Sequence, residues 1–248
     1  MQKTDAEPKL RLLAEGARAI GVELGPTQEE QFAAYARLLL AANRRVNLTA
    51  ITEPEAVETL HFLDSLTAAS ALPEATLTGG RVFDVGSGAG FPGVPLRIAF
   101  PGLRVELLEA TGKKAAFLRE LVDALGLPDI VVHHGRAEDF GREPLLRGAF
   151  DAVLARGVAK LATLAELTLP FLRVGGALVA HKSADVGAEL GSAAEAMRTL
   201  GGATPVVHTV SAPGLDDRRT LVVVEKVAET PDKYPRRAGM PAKRPIGS

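Results

Sequence analysis

The sequence contains no cysteine, and this absence removes several kinds of chemistry at once. Disulfide bonds, thiolate metal ligands and a cysteine nucleophile are all excluded. No run approaches the roughly eighteen consecutive apolar residues that span a membrane, and the N-terminal MQKTDAEPKL lacks the basic and apolar segments of a signal peptide. We therefore expect a cytoplasmic protein without a membrane partner.

The chain also lacks an appreciable net charge, because 29 Lys and Arg are balanced by 30 Asp and Glu, which gives a formal charge of −1. Overall attraction to a polyanion is therefore absent, and any contact with nucleic acid must come from a local basic patch. The C-terminal KYPRRAGMPAKRPIGS is one such patch, with five basic residues, three prolines and no acid. We expect this tail to be extended rather than packed.

The N-terminal part of the chain has the apolar spacing of helices. Apolar residues recur at intervals of three and four in the segments 10–21 and 27–46. Two Thr and Glu pairs predict capping boxes at the starts of a second and a third helix: Thr27 with Glu30, and Thr52 with Glu55. Residues 71–80, ALPEATLTGG, contain a proline and a glycine pair and are predicted to form a linker.

Beyond this segment the pattern changes to short apolar runs that alternate with helical stretches, which indicates an α/β domain. The runs are residues 81–85, 104–108, 130–134, 150–154, 176–180, 206–210 and 220–227. The last run follows its predecessor without room for a helix, so one strand of the otherwise parallel sheet should be antiparallel. We divide the chain into a helical region (1–78), a Rossmann-like domain (79–227) and a basic tail (228–248).

The stretch RVFDVGSGAGFPGVP, residues 81–95, places a glycine-rich loop between a predicted strand and a predicted helix. This order is typical of nucleotide-type cofactor sites, where the backbone must approach the ligand closely. Residues 88–93 also satisfy the pattern GxGxxG, so a dinucleotide has to be considered. The loop alone does not decide between these cofactors and a simple turn.

Two acids favour S-adenosylmethionine over a dinucleotide. Glu109 ends the second strand, where a carboxylate can accept both hydroxyl groups of a ribose. Asp84, two residues before Gly86, would repel a pyrophosphate but not a cationic sulfonium. GRAED, residues 135–139, either offers a further acidic edge, with Ala137 and Glu138 placed to meet an adenine, or is a solvated loop. A branched side chain at Gly86 is expected to block the cofactor while leaving the fold intact.

An NAD(P)-dependent oxidoreductase is the first alternative, but its short-chain form needs a tyrosine with a lysine four residues later. Here Tyr35 is followed by Leu39, and Tyr234 is followed by Ala238. The absence of cysteine also excludes covalent attack on a pyrimidine ring. Guanine N7 remains as a nucleophile with an exposed lone pair and no proton to lose, so methyl transfer to it requires mainly positioning.

Taken in order, several blocks of the sequence resemble the RsmG family, also called glucose-inhibited division protein B, the guanine-N7 methyltransferases of small-subunit ribosomal RNA. The blocks are RVNLTAI (45–51), HFLDSL (61–66), DVGSGAGFPGVPL (84–96), LLEATGKKAAFL (107–118), GRAED (135–139), FDAVLARGV (150–158) and the RRAGMPAKRPIG tail. Thr111 stands where the family often has Ser, and HKS at 181–183 where it often has Lys-Gly.

The resemblance implies a class I methyltransferase fold, with a seven-stranded sheet behind a helical N-terminal extension. It implies methylation of the guanine at position 527 of 16S rRNA, with S-adenosylmethionine as cofactor. The cofactor-binding residues expected from the loop, the acids and the resemblance are Asp84, Gly86, Gly88, Phe91, Glu109, Ala110, Thr111, Ala137, Glu138 and Arg156. Arg156 is also the one candidate catalytic residue, at the methionine end or against the substrate.

Cations outside the cofactor loop are candidates for the RNA contact. They are Arg44, Arg45, Lys182, Arg236, Arg237, Lys243 and Arg244. The alternative to an enzyme is a non-catalytic rRNA-binding assembly factor. His61 and Asp64 lie on one helical face, and either an acid/base or metal pair or a hydrogen-bonded interface with the sheet fits that spacing. We expect no metal and a monomer.

Overall fold

The computed structural model describes residues 10–183, 185–215 and 219–247. Residues 1–9 of the predicted helical region and Ser248, the last residue of the predicted basic tail, lie outside the described residues. In the described part of the chain, no helix is both long and apolar enough to cross a bilayer.

From residue 10 onward, five α-helices precede the sheet: α1 (Arg11–Ala19), α2 (Pro26–Asn43), α3 (Pro54–Val57), α4 (Asp64–Leu66) and α5 (Glu74–Gly79). A π-helical turn, Glu58–Leu63, joins α3 to α4, and a 3₁₀ turn, Thr67–Ala71, follows α4. The helical N-terminal region predicted from the apolar spacing is therefore present. The third predicted helix is α-helical only at its two ends, α3 and α4, and π-helical between them.

The predicted capping boxes are wrong, because neither Thr27 nor Thr52 caps its helix. Helix α2 begins at Pro26 and helix α3 begins at Pro54, and in both cases proline occupies the first turn. Proline suits this position because its fixed φ is helical and the amide hydrogen that it lacks would have had no partner within the helix.

The predicted linker at residues 71–80 is also wrong, since α5 occupies most of it. Pro73 stands at the N-cap, where it does not interrupt the helix, and Gly80 follows the last turn. A Cβ on Gly80 would lie 2.8 Å from the carbonyl oxygen of Thr76, so a residue without a side chain is needed for the chain to leave the helix here.

All seven predicted strands form one sheet. They are β1 (Arg81–Val85), β2 (Arg104–Glu109), β3 (Val131–His134), β4 (Phe150–Arg156), β5 (Leu172–Lys182), β6 (Val206–Val210) and β7 (Arg219–Glu225). Their order is β3-β2-β1-β4-β5-β7-β6. As predicted, one strand is antiparallel: β7 runs against both β5 and β6 and lies between them.

The helices of the α/β part are α6 (Gly93–Ala99), α7 (Gly112–Ala124), α8 (Ala137–Phe140), α9 (Leu161–Thr168), α10 (Gly187–Thr199) and α11 (Met240–Lys243). A 3₁₀ turn, Leu169–Phe171, leads into β5. The five strands β1, β2, β3, β4 and β5 are parallel to one another, so their carboxyl ends lie at one edge of the sheet. Ligands bind at this edge in open α/β folds.

The N-terminal helices share a hydrophobic core with one face of the sheet. Phe32 and Tyr35 of α2 and Phe62 of the π-helical turn are fully buried in the same cluster as Leu107 of β2 and Leu118 of α7. A second cluster, on the other face, is built around Phe83, Phe150 and Phe171. Because the first cluster is continuous, the helical region is fixed against this face of the sheet.

The C-terminal tail is packed, so the prediction of an extended tail is wrong. The carboxylate of Glu166 on α9 is fully buried and accepts hydrogen bonds from the backbone amide, Nε and one terminal nitrogen of Arg236, at 2.6 to 3.0 Å. The hydroxyl of Thr163 donates to the carbonyl oxygen of Pro241. The tail prolines therefore belong to a structured segment that crosses α9.

Replacing Arg236 by alanine should destabilise the protein, because it leaves the buried carboxylate of Glu166 without its charged partner. We expect Arg236→Ala to lower the free energy of unfolding by about 3 kcal/mol, measured by urea denaturation. Arg237→Ala removes a neighbouring exposed arginine and should change stability by less than about 0.5 kcal/mol. If adding Glu166→Gln to Arg236→Ala recovers no stability, the buried pair is not the cause.

Candidate functional site

The glycine loop leaves the end of β1 and is tied to β2. The backbone amides of Gly86 and Ser87 both donate to the carbonyl oxygen of Leu108, at 2.8 and 3.1 Å. A Cβ on Gly86 would lie 2.8 Å from Cγ2 of Val158, and Gly86 has a φ of +74°. The expectation that a branched side chain at Gly86 would leave the fold intact is therefore wrong.

The next two glycines of the loop face different surroundings. A Cβ on Gly90 would lie 2.5 Å from the hydroxyl of Tyr35, so this part of the loop is pressed against α2. At Gly88, with a φ of +60°, the nearest atom to such a Cβ is the carbonyl oxygen of Gly86, 3.9 Å away. The loop is therefore closed underneath by protein and open at Gly88, where a ligand can approach the backbone.

Asp84 lies beneath this loop and is fully buried. Its Oδ2 accepts a hydrogen bond from the amide of Gly93, at the start of α6, at 2.9 Å. Its Oδ1 has no hydrogen-bond partner among the described residues. Burial raises the pKa of Asp84 to about 7, although the Gly93 hydrogen bond and the Arg156 charge oppose the shift. The site thus contains a carboxylate that titrates near neutral pH.

Glu109 brings the end of β2 to the open part of the loop. Its Oε2 accepts from the amide of Gly88 at 2.9 Å, and its Oε1 accepts from the amide of Thr111 at 2.7 Å. Ala110 and Thr111 are exposed beside it, and Thr111 is the N-cap of α7. Since an ionised carboxylate has about four acceptor positions, Glu109 retains capacity for two further donors. The residues predicted to hold the ribose are therefore together at the loop.

Phe91 packs between the loop and the N-terminal helices. Its ring is stacked on His61, with 4.4 Å between centroids, and on Tyr35, with 5.3 Å. The hydroxyl of Tyr35 donates to the carbonyl oxygen of Ala89 at 2.6 Å. Sequence reasoning considered Tyr35 as part of the second helix and as a possible dehydrogenase tyrosine, and it missed this contact. The stacked rings of Phe91, His61 and Tyr35 hold the loop against the helices. A contact between Phe91 and the cofactor stays a prediction.

Arg156, at the end of β4, is held by the π-helical segment. One terminal nitrogen donates to Oδ2 of Asp64 at 2.8 Å and to the carbonyl oxygen of Leu60 at 3.2 Å, while the other lies 3.1 Å from Nδ1 of His61. Its guanidinium carbon is 4.8 Å from the centre of the Phe91 ring. Of the two interpretations of His61 and Asp64, the structure shows the hydrogen-bonded interface with the sheet.

His61 is neutral in this arrangement. Burial and the neighbouring Arg156 charge lower the pKa of His61 to about 4. Because Arg156 donates to Nδ1, the proton is on Nε2, which donates to the hydroxyl oxygen of Thr49 at 2.7 Å. Both ring nitrogens are thus engaged. In the described part of the chain, no group of three or more His, Asp or Glu side chains could hold a metal ion.

The predicted adenine residues lie at the start of α8, and both are buried. The Oε1 atom of Glu138 accepts a hydrogen bond from the amide of Gly239 in the tail, at 2.8 Å. Ala137 is the first residue of the helix. Their contact with adenine stays a prediction, but the structure adds that the tail fixes the carboxylate of Glu138.

The predicted RNA-binding cations fall into two groups. Arg44, Arg45, Arg237, Lys243 and Arg244 are exposed. Lys182 instead forms an ion pair with Glu189 at 2.7 Å and donates to the carbonyl oxygen of Ala159, and Arg236 is held by Glu166. We therefore remove Lys182 and Arg236 from the predicted RNA contacts, because their charged groups stabilise the protein's own structure.

Asp84→Asn should stabilise the protein at alkaline pH and have little effect at acid pH. The raised pKa means that the folded state binds a proton more tightly than the unfolded state, so wild-type stability falls as pH rises from about 4 to about 7. We expect the difference in unfolding free energy between Asp84→Asn and wild type to grow by a few kcal/mol from pH 5 to pH 8, measured by urea denaturation. A difference that does not change with pH would contradict the buried, titrating carboxylate.

Known structures confirm the fold. The chain resembles the O-methyltransferase from Bacillus cereus in complex with SAH, with a TM-score of 0.52 and 18% identity over 78% of this chain and 91% of that one. It also resembles TrmN from Thermus thermophilus, with a TM-score of 0.51 and 22% identity over 78% of this chain and 53% of that one. The predicted class I methyltransferase fold is therefore confirmed.

Sequence comparison identifies the family. "Ribosomal RNA small subunit methyltransferase G" of Dehalococcoides mccartyi (strain CBDB1) is 48% identical over 235 residues, which cover 94% of this chain and 98% of the relative. The protein of the same name from Roseiflexus sp. (strain RS-1) is 50% identical, over 95% of this chain and 99% of the relative. The family model for rRNA small subunit methyltransferase G matches residues 28–222. The chain therefore belongs to the rRNA small subunit methyltransferase G family.

Proposed function

We propose that this protein transfers the methyl group of S-adenosylmethionine to N7 of a guanine in 16S rRNA, the guanine at position 527. The observation that carries the proposal is the meeting of Glu109 with the open backbone at Gly88, within a chain of this family. A carboxylate at the end of β2, beside a glycine loop at the end of β1, is the arrangement that binds a ribose in Rossmann-like folds.

The residues at the loop fit this cofactor. Gly88 leaves room for close approach, and the remaining acceptor positions of Glu109 suit two ribose hydroxyl groups. The unpartnered Oδ1 of Asp84 adds negative charge beneath the loop once this carboxyl group is ionised. That charge favours a cationic ligand and opposes a pyrophosphate. The NAD(P)-dependent oxidoreductase considered from the sequence is favoured by the GxGxxG pattern at residues 88–93 and opposed by the Asp84 carboxylate beneath the loop.

The bound cofactor supplies an electrophilic methyl group on a positively charged sulfur. The protein has to exclude water, orient the acceptor and stabilise charge. No base is needed, because guanine N7 carries a lone pair and no proton. This agrees with His61, whose ring nitrogens are both occupied by Arg156 and Thr49. Arg156, held over Phe91, is the residue that orients groups at the methyl-transfer position.

The RNA is bound, in our proposal, by exposed cations around the same edge of the sheet. They are Arg44 and Arg45 after α2, and Arg237, Lys243 and Arg244 in the tail. Contacts to phosphate give affinity without sequence preference and make it depend on salt. We propose that the protein works as a monomer in the cytoplasm, on 16S rRNA either free or within the small subunit.

Methyl transfer to a mapped base tests the activity. Incubation with methyl-labelled S-adenosylmethionine and either free 16S rRNA or small subunits should place the label on N7 of the guanine at position 527. A label on an exocyclic nitrogen or a ribose oxygen would refute the proposed chemistry. RNA binding without transfer to either substrate would instead support the non-catalytic assembly factor.

Glu109→Gln tests the cofactor site, because it retains the size of the side chain while removing its charge. Loss of charge-assisted hydrogen bonds to the ribose should weaken S-adenosylhomocysteine binding by about 10- to 100-fold, measured by calorimetry. Glu120→Gln, on the exposed side of α7, is the matched control and should bind normally. An unchanged affinity for Glu109→Gln would place the ribose elsewhere.

A further inference from the structure

A cavity of about 290 Å³ lies beside the glycine loop, at the edge where β4 and β5 end. Its described lining is Asp64, Ala155–Ala159, Leu164, His181–Ser183, Arg219 and Thr220. The volume is close to the lower limit of ligand sites, about 300 Å³. It therefore suits a single nucleotide or a part of one, rather than a dinucleotide.

Arg219 reaches this cavity because β7 is antiparallel. Thr220 pairs with Lys182 across β5 and β7, so the first residue of β7 lies at the edge where the parallel strands end. No sequence motif drew attention to Arg219. Its position follows from the one strand whose direction is reversed.

The cavity and the glycine loop share a wall. The side chain of Val158 lies against Gly86, where an added Cβ would be 2.8 Å from it. Arg156 lines the cavity and also lies over the ring of Phe91, a loop residue. A ligand in this cavity would therefore be adjacent to a cofactor bound on the loop.

The described residues that line the cavity carry more positive than negative charge. They include two arginines, Arg156 and Arg219, but one carboxylate, Asp64, whereas the ammonium group of Lys182 is already paired with Glu189. The carboxylate of Asp64 is shared: Oδ2 is 2.8 Å from a terminal nitrogen of Arg156, and Oδ1 is 2.7 Å from Nε of Arg219. Asp64 thus holds two guanidinium groups, one at each of its carboxylate oxygens. Each guanidinium group has five N–H donors.

Two arginines held in this way suit an anion with several acceptor oxygens. Guanidinium groups bind phosphate through paired hydrogen bonds, and the surrounding positive charge strengthens the contact. A base that is modified by an enzyme leaves its stack and enters a pocket, and its flanking phosphates then lie at the pocket entrance.

We propose that this cavity binds the nucleotide to be methylated and that Arg219, with Arg156, contacts a phosphate flanking that nucleotide. The inference rests on the proposed function and adds a residue and a chemical group to it. The carboxylate of the cofactor's methionine part is also an anion of suitable size. The experiment therefore distinguishes whether Arg219 binds an RNA phosphate or the carboxylate of the cofactor.

The test removes the charge from the protein and from the RNA independently. A neutral methylphosphonate replaces the phosphate on either the 5′ or the 3′ side of the target guanosine, in whichever RNA substrate the wild type methylates. With wild type, one replacement should lower kcat/KM by about 10- to 100-fold, the value of a charge-assisted hydrogen bond. With Arg219→Ala, the same replacement should change kcat/KM by less than about twofold.

Two further measurements make the result specific. Arg219→Ala should bind S-adenosylhomocysteine with wild-type affinity and should reduce the slope of log K against log salt by about 0.7 to 0.9. Arg198→Ala, an exposed arginine of α10 outside the cavity lining, should keep the full methylphosphonate effect. Arg219→Lys retains a cation for Asp64 and replaces the alanine variant if that variant does not fold.

The inference is overturned if neither methylphosphonate affects the wild type, or if the effect is equally large in the Arg219 variant. Loss of S-adenosylhomocysteine binding in that variant would assign the arginine to the cofactor. Failure of the wild type to methylate any substrate would refute the proposed function itself. If the wild type methylates RNA but the methylphosphonate effect does not depend on Arg219, only the role of Arg219 is refuted.

Discussion

The ion pair between Arg156 and Asp64 joins the two halves of the site. Arg156 comes from the sheet and Asp64 from the N-terminal helices, and the pair also places the guanidinium over Phe91 in the glycine loop. Removal of Asp64 would leave the guanidinium group of Arg156 without its carboxylate partner in a largely buried position, which is costly. The helical region therefore contributes directly to the candidate site, although it precedes the sheet in sequence.

The π-helical turn explains how a helix can offer so many groups to one arginine. In such a turn, the backbone hydrogen bonds are spaced differently from those of an α-helix, and π-helical turns frequently occur at functional sites. Here the carbonyl oxygen of Leu60 and the side chains of His61 and Asp64 all face Arg156. Leu60 and His61 belong to the π-helical turn and Asp64 is the first residue of α4, so the contact with the sheet lies where the irregular turn passes into the regular helix.

The sequence was sufficient to predict the sheet and the position of the glycine loop, but not the contacts between distant segments. Strands could be predicted because alternating apolar runs are a local signal, and Glu109 because it ends such a run. The capping boxes at Thr27 and Thr52 failed because proline at the first turn was the stronger local signal. Tyr35, Arg219 and the pairing of Arg236 with Glu166 depend on residues 54 to 155 positions apart or on strand order, which no local pattern contains.

The buried carboxylates change what the formal charge of −1 means for an approaching RNA. Six acids are buried in the described part of the chain, Glu58, Asp64, Asp84, Glu109, Glu138 and Glu166, whereas Lys226 is the one Lys or Arg there that is buried. These acids accept bonds from backbone amides and arginines inside the protein, so few of them face solvent. The exposed charged groups are accordingly more positive in sum than the net charge of the whole chain suggests. A nearly neutral protein can therefore still attract a polyanion to its surface.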